Sequence, residues 1–353
     1  MAALASFRAL RPALPAAAQV AAVPYDVVNT EEARALADGN PLSFLHVSRA
    51  EIDLPDGSNP HGDNAYALAK TNFERLKQAA PLLVEETPRL YVYRLRMGAH
   101  SQVGLAGCFS VDEYERDIIR KHEHTRRDKE DDRTRHVLEL RAQTGPVFLT
   151  YRTRPTIDAL IERVMSTKPL YDFAAVDDVQ HTIWTIDPVE EHQLVIAFDA
   201  VPALYIADGH HRAASAARAR RELAGPNKTA GEWDWFLAVA FPDVQVQILP
   251  YNRVVQDLAG MSVDEFRRAL QTRFQVRNGP AFPAHKGEVA MFLNGQWQTI
   301  VLGEPSATAK PRGWIGYAGS WSRCPSCCVV ARCQYSTRSW IRWSTTRACY
   351  ELH

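Results

Sequence analysis

The stretch from Leu204 to Arg220, "LYIADGHHRAASAARAR", constrains the fold more than any other. Leu204, Tyr205 and Ile206 suit the end of a buried strand, Asp208-Gly209 is a turn dipeptide, and the alanine-rich run after it has the highest helix propensity in the chain. A strand, a glycine turn and a helix are therefore predicted in succession. Such a junction aims free backbone N–H groups and the positive end of a helix dipole at one point, which suits an anion. Arg212 adds a planar fork that matches two phosphate oxygens, so Gly209, His210, His211 and Arg212 form a candidate phosphate cradle.

Asp208 would repel a phosphate at this turn unless it binds a divalent cation, accepts a proton from a substrate hydroxyl, or caps the helix. All three readings are open from sequence. Consecutive side chains on a helix diverge by about 100°, so His210 and His211 make a poor chelate, and no metal site is expected of them. One ring is expected to face the ligand and the other to pack or cap. His122-Glu123-His124-Thr125 raises the same question, because H-x-H spacing on a strand puts both rings on one face, whereas an exposed turn before a helix does not. Glu123 is a candidate base, and His124 and Arg126 are candidate phosphate contacts.

The rest of the body intermixes helices and strands without a regular βαβ repeat, which predicts an α+β fold of mixed sheets with packed helices. Asn29 or Thr30 offers an N-cap to a short helix with Glu31 and Glu32 in its first turn, ending at Gly39. Residues 62 to 79 read as a helix, and Leu90 to Leu95 with Val103 to Phe109 as a hairpin. A helix up to Thr144 is stopped by Gly145-Pro146, and "VFLTY" reads as a buried strand. A helix at 156 to 166, a strand at 182 to 186 and a strand pair within "FLAVAFPDVQVQILPYNRVV" complete the body.

Lysine and arginine number 41 against 41 acidic residues, so no net field draws the chain to nucleic acid or an anionic membrane. Arg8, Arg11, Pro12 and Pro15 interrupt the alanine-rich start, which reads as neither a membrane span nor a secretory signal, and a cytoplasmic location is expected.

From Trp314 onward the pattern changes. Four of the eight tryptophans, five of the six cysteines and a single acid, Glu351, fall here, with no sustained period. Cys324 and Cys327 have C-x-x-C spacing, but Cys328 and Cys333 supply a poor second pair for zinc. The preferred reading is a shift of reading frame near residue 310, since a GC-rich gene read out of frame yields Arg, Ser, Trp and Cys. The chain thus divides into a body, 1–310, as one domain or as two subdomains of about 1–110 and 111–310, and an anomalous tail, 311–353.

Six blocks together call up a known family: "FRALRP" (Phe7 to Pro12), "VPYDVVN" (Val23 to Asn29), "NPLSFLHVSRAE" (Asn40 to Glu51), "RKHEHTRRDKEDDR" (Arg120 to Arg133), "YIADGHHRAASA" (Tyr205 to Ala216) and "ILPYNRVV" (Ile248 to Val255). In this order they resemble the domain of unknown function 1015 family. That family is similar to ParB-like proteins through its D-G-x-H-R-x-x-A element. In the ParB and sulfiredoxin superfamily the corresponding turn holds nucleotide phosphates, and some members are kinases for free serine. The resemblance implies a ParB/sulfiredoxin-like core, ATP or ADP with Mg²⁺ as ligand, and a small hydroxylated metabolite as substrate. A ParB-like regulatory or DNA-associated module without catalysis is the alternative. No helix-turn-helix with a basic recognition helix is evident, which makes nucleic acid an unfavoured partner.

Overall fold

The computed structural model describes residues 2–175, 178–225, 230–247, 253–255, 257–285, 287–302 and 327–331. The chain falls into two compact units, residues 1–246 and 247–352. Along the first run β1 (Leu4–Ala5), β2 (Leu10–Arg11), α1 (Ala17–Val20), α2 (Thr30–Ala37), α3 (Leu45–Ser48), α4 (Asp63–Ala79), β3 (Leu83–Val84), β4 (Tyr91–Met97) and β5 (His100–Ser110). Then come α5 (Val111–Glu115), β6 (Ile119–Arg120), α6 (Arg127–Leu140), β7 (Val147–Tyr151), α7 (Pro155–Met165), β8 (Tyr171–Ala174) and β9 (Gln180–Thr185). The unit closes with α8 (Pro188–Asp199), β10 (Leu204–Asp208), α9 (His210–Leu223) and β11 (Trp235–Pro242).

Its main sheet has the strand order β6-β10-β7-β11-β5-β4-β9-β8, with β1 also paired to β5. β10 runs parallel to β6 and β11 parallel to β7, while β10 against β7 and β11 against β5 are antiparallel. The fold is therefore a mixed α/β arrangement, as the α+β expectation held. β5, ending at Ser110, is bonded along β11, so the sheet is continuous across the boundary drawn near residue 110 from sequence. The central strand β11 is buried from Ala238 to Pro242, whereas β7 alternates, sending Val147, Leu149 and Tyr151 inward. The edge strands β6 and β8 have only two and four residues, which limits pairing with other chains.

Two apolar clusters hold this unit together. One packs Phe109, Phe198, Phe236 and Tyr151 with Ala213, Ala216 and Ala217 of α9. The other gathers Ala16, Val20, Val47, Phe73, Leu76 and Leu140 among α1, α3, α4 and α6. The alanines of α9 lack bulk, so this helix lies close against its neighbours, α6 among them.

Several local signals are realised. Asn29 and Glu32 make a reciprocal capping box on α2, with both bonds at 2.9 Å. The hairpin forms between β4 and β5. α6 ends at Leu140, earlier than Thr144, with Arg141 left-handed. The reason is tertiary: the Gln143 amide donates to Trp235 O and accepts from Leu237 N–H, both at 2.7 Å, which draws this segment onto β11.

The second unit is described by itself. β12 (Arg253–Val255), α10 (Val263–Gln271), β13 (Gln275–Asn278), β14 (Glu288–Leu293), β15 (Gln296–Val301) and β16 (Cys327–Ala331) form a sheet in the order β12-β16-β14-β15-β13, with α10 beside it. The strand pair expected within "FLAVAFPDVQVQILPYNRVV" is corrected: β11 and β12 belong to different sheets. Residues 303–326 and 332–353 lie outside the described residues, and with them Cys324, Cys333, Cys349 and most of the segment read as out of frame. Within that segment β16 is a strand, parallel to β12 and β14. No helix among the described residues is long and apolar enough to cross a membrane.

Candidate functional site

β10, Gly209 and α9 form the strand-turn-helix junction that the sequence predicts. The register between β10 and β7 shifts between Ile206 and Asp208, a bulge that re-aims the last residue of the strand. Gly209 follows in the left-handed region, φ 90° and ψ 29°. A Cβ here would carry the strain of that conformation and would lie 3.2 Å from Arg212 Cζ and 3.3 Å from Val147 Cα. Glycine is required because the Arg212 guanidinium lies directly over the turn.

The Arg212 side chain is 14% exposed and that of Asp208 12%, and the two are ion-paired across the turn. The guanidinium also donates to the Pro146 carbonyl, which the Gly145-Pro146 turn before β7 presents. Burial works against the Arg212 charge, but Asp208, Asp26 and Tyr25 outweigh it and keep the guanidinium firmly protonated. Burial pushes the Asp208 carboxyl above the ordinary carboxylate range, with Arg212 pulling it down and Asp26 adding to the rise. Asp208 Oδ1 is buried with no hydrogen-bond partner among the described residues. The Gly209 backbone N–H also favours the charged carboxylate.

The two histidines face the loop between β6 and α6. The His122 N–H donates to His210 Nε2 at 3.5 Å, and the Arg126 N–H donates to His211 Nε2 at 3.2 Å. Accepting at Nε2 goes with a neutral, Nδ1–H tautomer of His210. His210 is buried, packs edge-on against the His122 ring at 4.4 Å, and presents Nδ1 to Glu123 Oε2 at 3.6 Å. Burial first, then His122, His211 and Arg212, drives its pKa down to about 3. Nε2 of both rings is thus taken up by the 122–126 loop, and Nδ1 of His210 faces Glu123. Both residues also occupy the N-terminus of α9.

Asp208, Gly209, His210, His211, Arg212 and Glu123 are therefore assembled at one place. Arg126 reaches it through its backbone only, because its guanidinium pairs with Asp128 at the surface, 2.6 Å away. His124 is exposed on the same loop, which is irregular and not a strand, so the H-x-H spacing does not place two rings on one face. Among the described residues no three His, Cys, Asp or Glu side chains are grouped to hold a metal ion.

Sequence reasoning missed the other half of the cluster. The Arg133 guanidinium of α6 lies 3.9 Å from the centre of the Tyr25 ring. Burial and then Asp26 raise the Tyr25 phenol well above its ordinary value, against the pull of Arg133 and Arg212. Asp26 acts on Asp208, Arg212 and Tyr25 alike. The signal was in the blocks themselves, since "VPYD" and "KEDDR" place charge and a tyrosine beside proline and helix starts where packing alone needs neither.

The class these features define is a mixed α/β protein with a polar, arginine-centred site at a strand-glycine-helix junction. The chain belongs to the family described as Protein of unknown function (DUF1015), whose sequence profile matches residues 4–317. No curated protein and no solved structure matches the chain.

Proposed function

We propose that the protein binds the phosphate groups of a nucleotide at the Gly209 turn and transfers a phosphoryl group to a small hydroxylated metabolite of the serine kind. The observation that carries this reading is the buried Asp208-Arg212 pair over Gly209, with one carboxylate oxygen unsatisfied. Such a pair is a charge set that a ligand can repartition. A phosphate oxygen competes with Asp208 for the Arg212 fork while the α9 N-terminus faces the anion. Asp208, released from Arg212, would then be free to hold a divalent cation, the first of the three roles open to it. The likeness of the D-G-x-H-R element to ParB and sulfiredoxin-like proteins supports the same reading.

ATP or ADP with Mg²⁺ fits these residues, because Mg²⁺ takes one or two carboxylates and completes its shell with water and phosphate oxygens. The cation would supply charge neutralisation on the transferring group. The chain's own part is positioning: Arg212 and the Gly209 turn hold phosphate, Glu123 steadies His210 through Nδ1–H, and the loop of His124 and Arg126 borders the site.

A thermal-shift screen of ATP, ADP, CTP, GTP and pyrophosphate with Mg²⁺ tests this. A ligand at about one hundred times its Kd stabilises by about 2.7 kcal/mol. The shift is expected for the native chain and absent in the double variant Asp208→Asn, Arg212→Gln, which leaves no orphaned charge. No shift with any phosphate overturns the proposal.

A further inference from the structure

We infer that Gln143 is a positioning residue of the phosphate site: its carboxamide fills a ladder place on β11 and so frees the Gly145-Pro146 turn to hold Arg212. The inference rests on the phosphate-site reading above and names the residue that aims its arginine.

β7 runs parallel to β11, with Val147 opposite Ala238. Two residues back along both strands, the same register would set Gly145 opposite Phe236. In a parallel ladder a backbone residue at that place donates to Trp235 O and accepts from Leu237 N–H, the two groups that flank its partner. The paired part of β7 starts only at Val147. The Gln143 side chain makes those two bonds instead, each at 2.7 Å. Glutamine suits the place because its carboxamide sets a donor beside an acceptor, as a peptide group does.

With its ladder place taken, the Gly145-Pro146 turn lies against α9. A Cβ on Gly145 would sit 3.3 Å from Arg212 Cδ, and one on Gly209 would sit 3.2 Å from Arg212 Cζ. Two glycines therefore make room for one side chain, Gly145 for its stem and Gly209 for its fork. The Pro146 carbonyl accepts from the guanidinium, while Asp208 pairs with it by charge. Asp208 is the contact that a phosphate replaces, and the neutral carbonyl is the contact that stays. Where that carbonyl sits sets where the fork points, and Gln143 sets where the carbonyl sits. Gln143 acts only through the turn.

The test is calorimetric titration of ATP with Mg²⁺ into the full native chain and into Gln143→Met and Gln143→Glu, each checked by far-ultraviolet circular dichroism. Gln143→Met removes both bonds to β11 and is expected to keep a native spectrum while weakening Kd by about 10-fold or more. Gln143→Glu keeps the shape, but an ionised carboxylate can only accept and leaves Trp235 O without a donor. Once protonated, it again has one donor and one acceptor. Its affinity, taken relative to the native chain at the same pH, is expected to be weak at about pH 8 and regained as pH falls to about 5.5. Both readouts are affinities of the folded chain, which a change in stability alone does not move. If Gln143→Met fails to fold, the pH ratio of Gln143→Glu decides. Affinity within about twofold of native in Gln143→Met, or a Gln143→Glu ratio that does not change with pH, overturns the positioning role and leaves the phosphate site standing. No binding by the native chain overturns both.

Discussion

The Arg212 guanidinium lies over Gly209, with its Cζ 3.2 Å from where a Cβ on that residue would sit, and it is ion-paired to Asp208. Sterics and charge therefore meet at one turn. The glycine makes room for the arginine, and the arginine neutralises the carboxylate that ends the strand.

Breaking the pair from one side is predicted to be costly. Arg212→Ala leaves Asp208 buried with no counter-charge, and loss of one partner of a buried pair costs about 3–5 kcal/mol. Replacing both residues, as in Asp208→Asn with Arg212→Gln, is predicted to cost less than the single change. Urea unfolding of the single and double variants checks this. Equal costs for the two would contradict the pairing.

Gly209→Ala is predicted to destabilise by about 1–2 kcal/mol from the left-handed backbone alone, with a further loss because Arg212 must move. Its far-ultraviolet circular dichroism should stay native, with a lowered urea midpoint. An unchanged midpoint would contradict a left-handed Gly209.

Both halves of α9 packing were legible to different degrees. The strand, turn and helix followed from local propensity, and so did the capping box on α2. What joins Tyr25, Asp26, Asp132 and Arg133 to the turn was not legible, because these residues lie far from the turn in sequence and no local period reports their contacts. The paired histidines show the same limit. Adjacency correctly argued against a chelate, but their role as acceptors for the His122 and Arg126 amides depends on a loop some 85 residues earlier. α8 escaped notice because Val189 and Ile196 are exposed, which blurs any apolar stripe on that helix.

The buried neutral histidines predict a pH dependence of stability. His210 is pushed down to about 3, and His136, buried and bonded to Val47 O, is pushed by burial and then Arg133 down to about 4. An unfolded histidine takes its proton near 6.5. Between these values the unfolded state binds more protons, so stability rises with pH. The contribution is complete above about pH 7 and is lost as pH falls below about 6.5, at up to about 1.4 kcal/mol per unit for each ring. Urea midpoints from pH 7 to 5, above most carboxylate titration, should fall steadily in the native chain and less steeply in His210→Gln. Parallel slopes in the two would contradict a buried neutral His210.

Crowding the small face of α9 is predicted to loosen the site. Ala213 is fully buried in the main core, and Ala213→Leu should cost about 1–3 kcal/mol by overpacking. Hydrogen exchange should then speed up in α9 and in the 121–126 loop before the rest of the sheet. Uniform acceleration would argue against local coupling.

The most direct measurement is calorimetric titration of ATP with Mg²⁺ into the native chain and into the Asp208→Asn, Arg212→Gln variant, which should fold with the pair's charge removed. Saturable binding by the native chain, weakened by about 100-fold or more in the variant, is the predicted result, since charge-assisted bonds to phosphate contribute about 1.5–3 kcal/mol each. Equal affinity in both proteins, or heat of binding in neither, would contradict a phosphate site at the Gly209 turn.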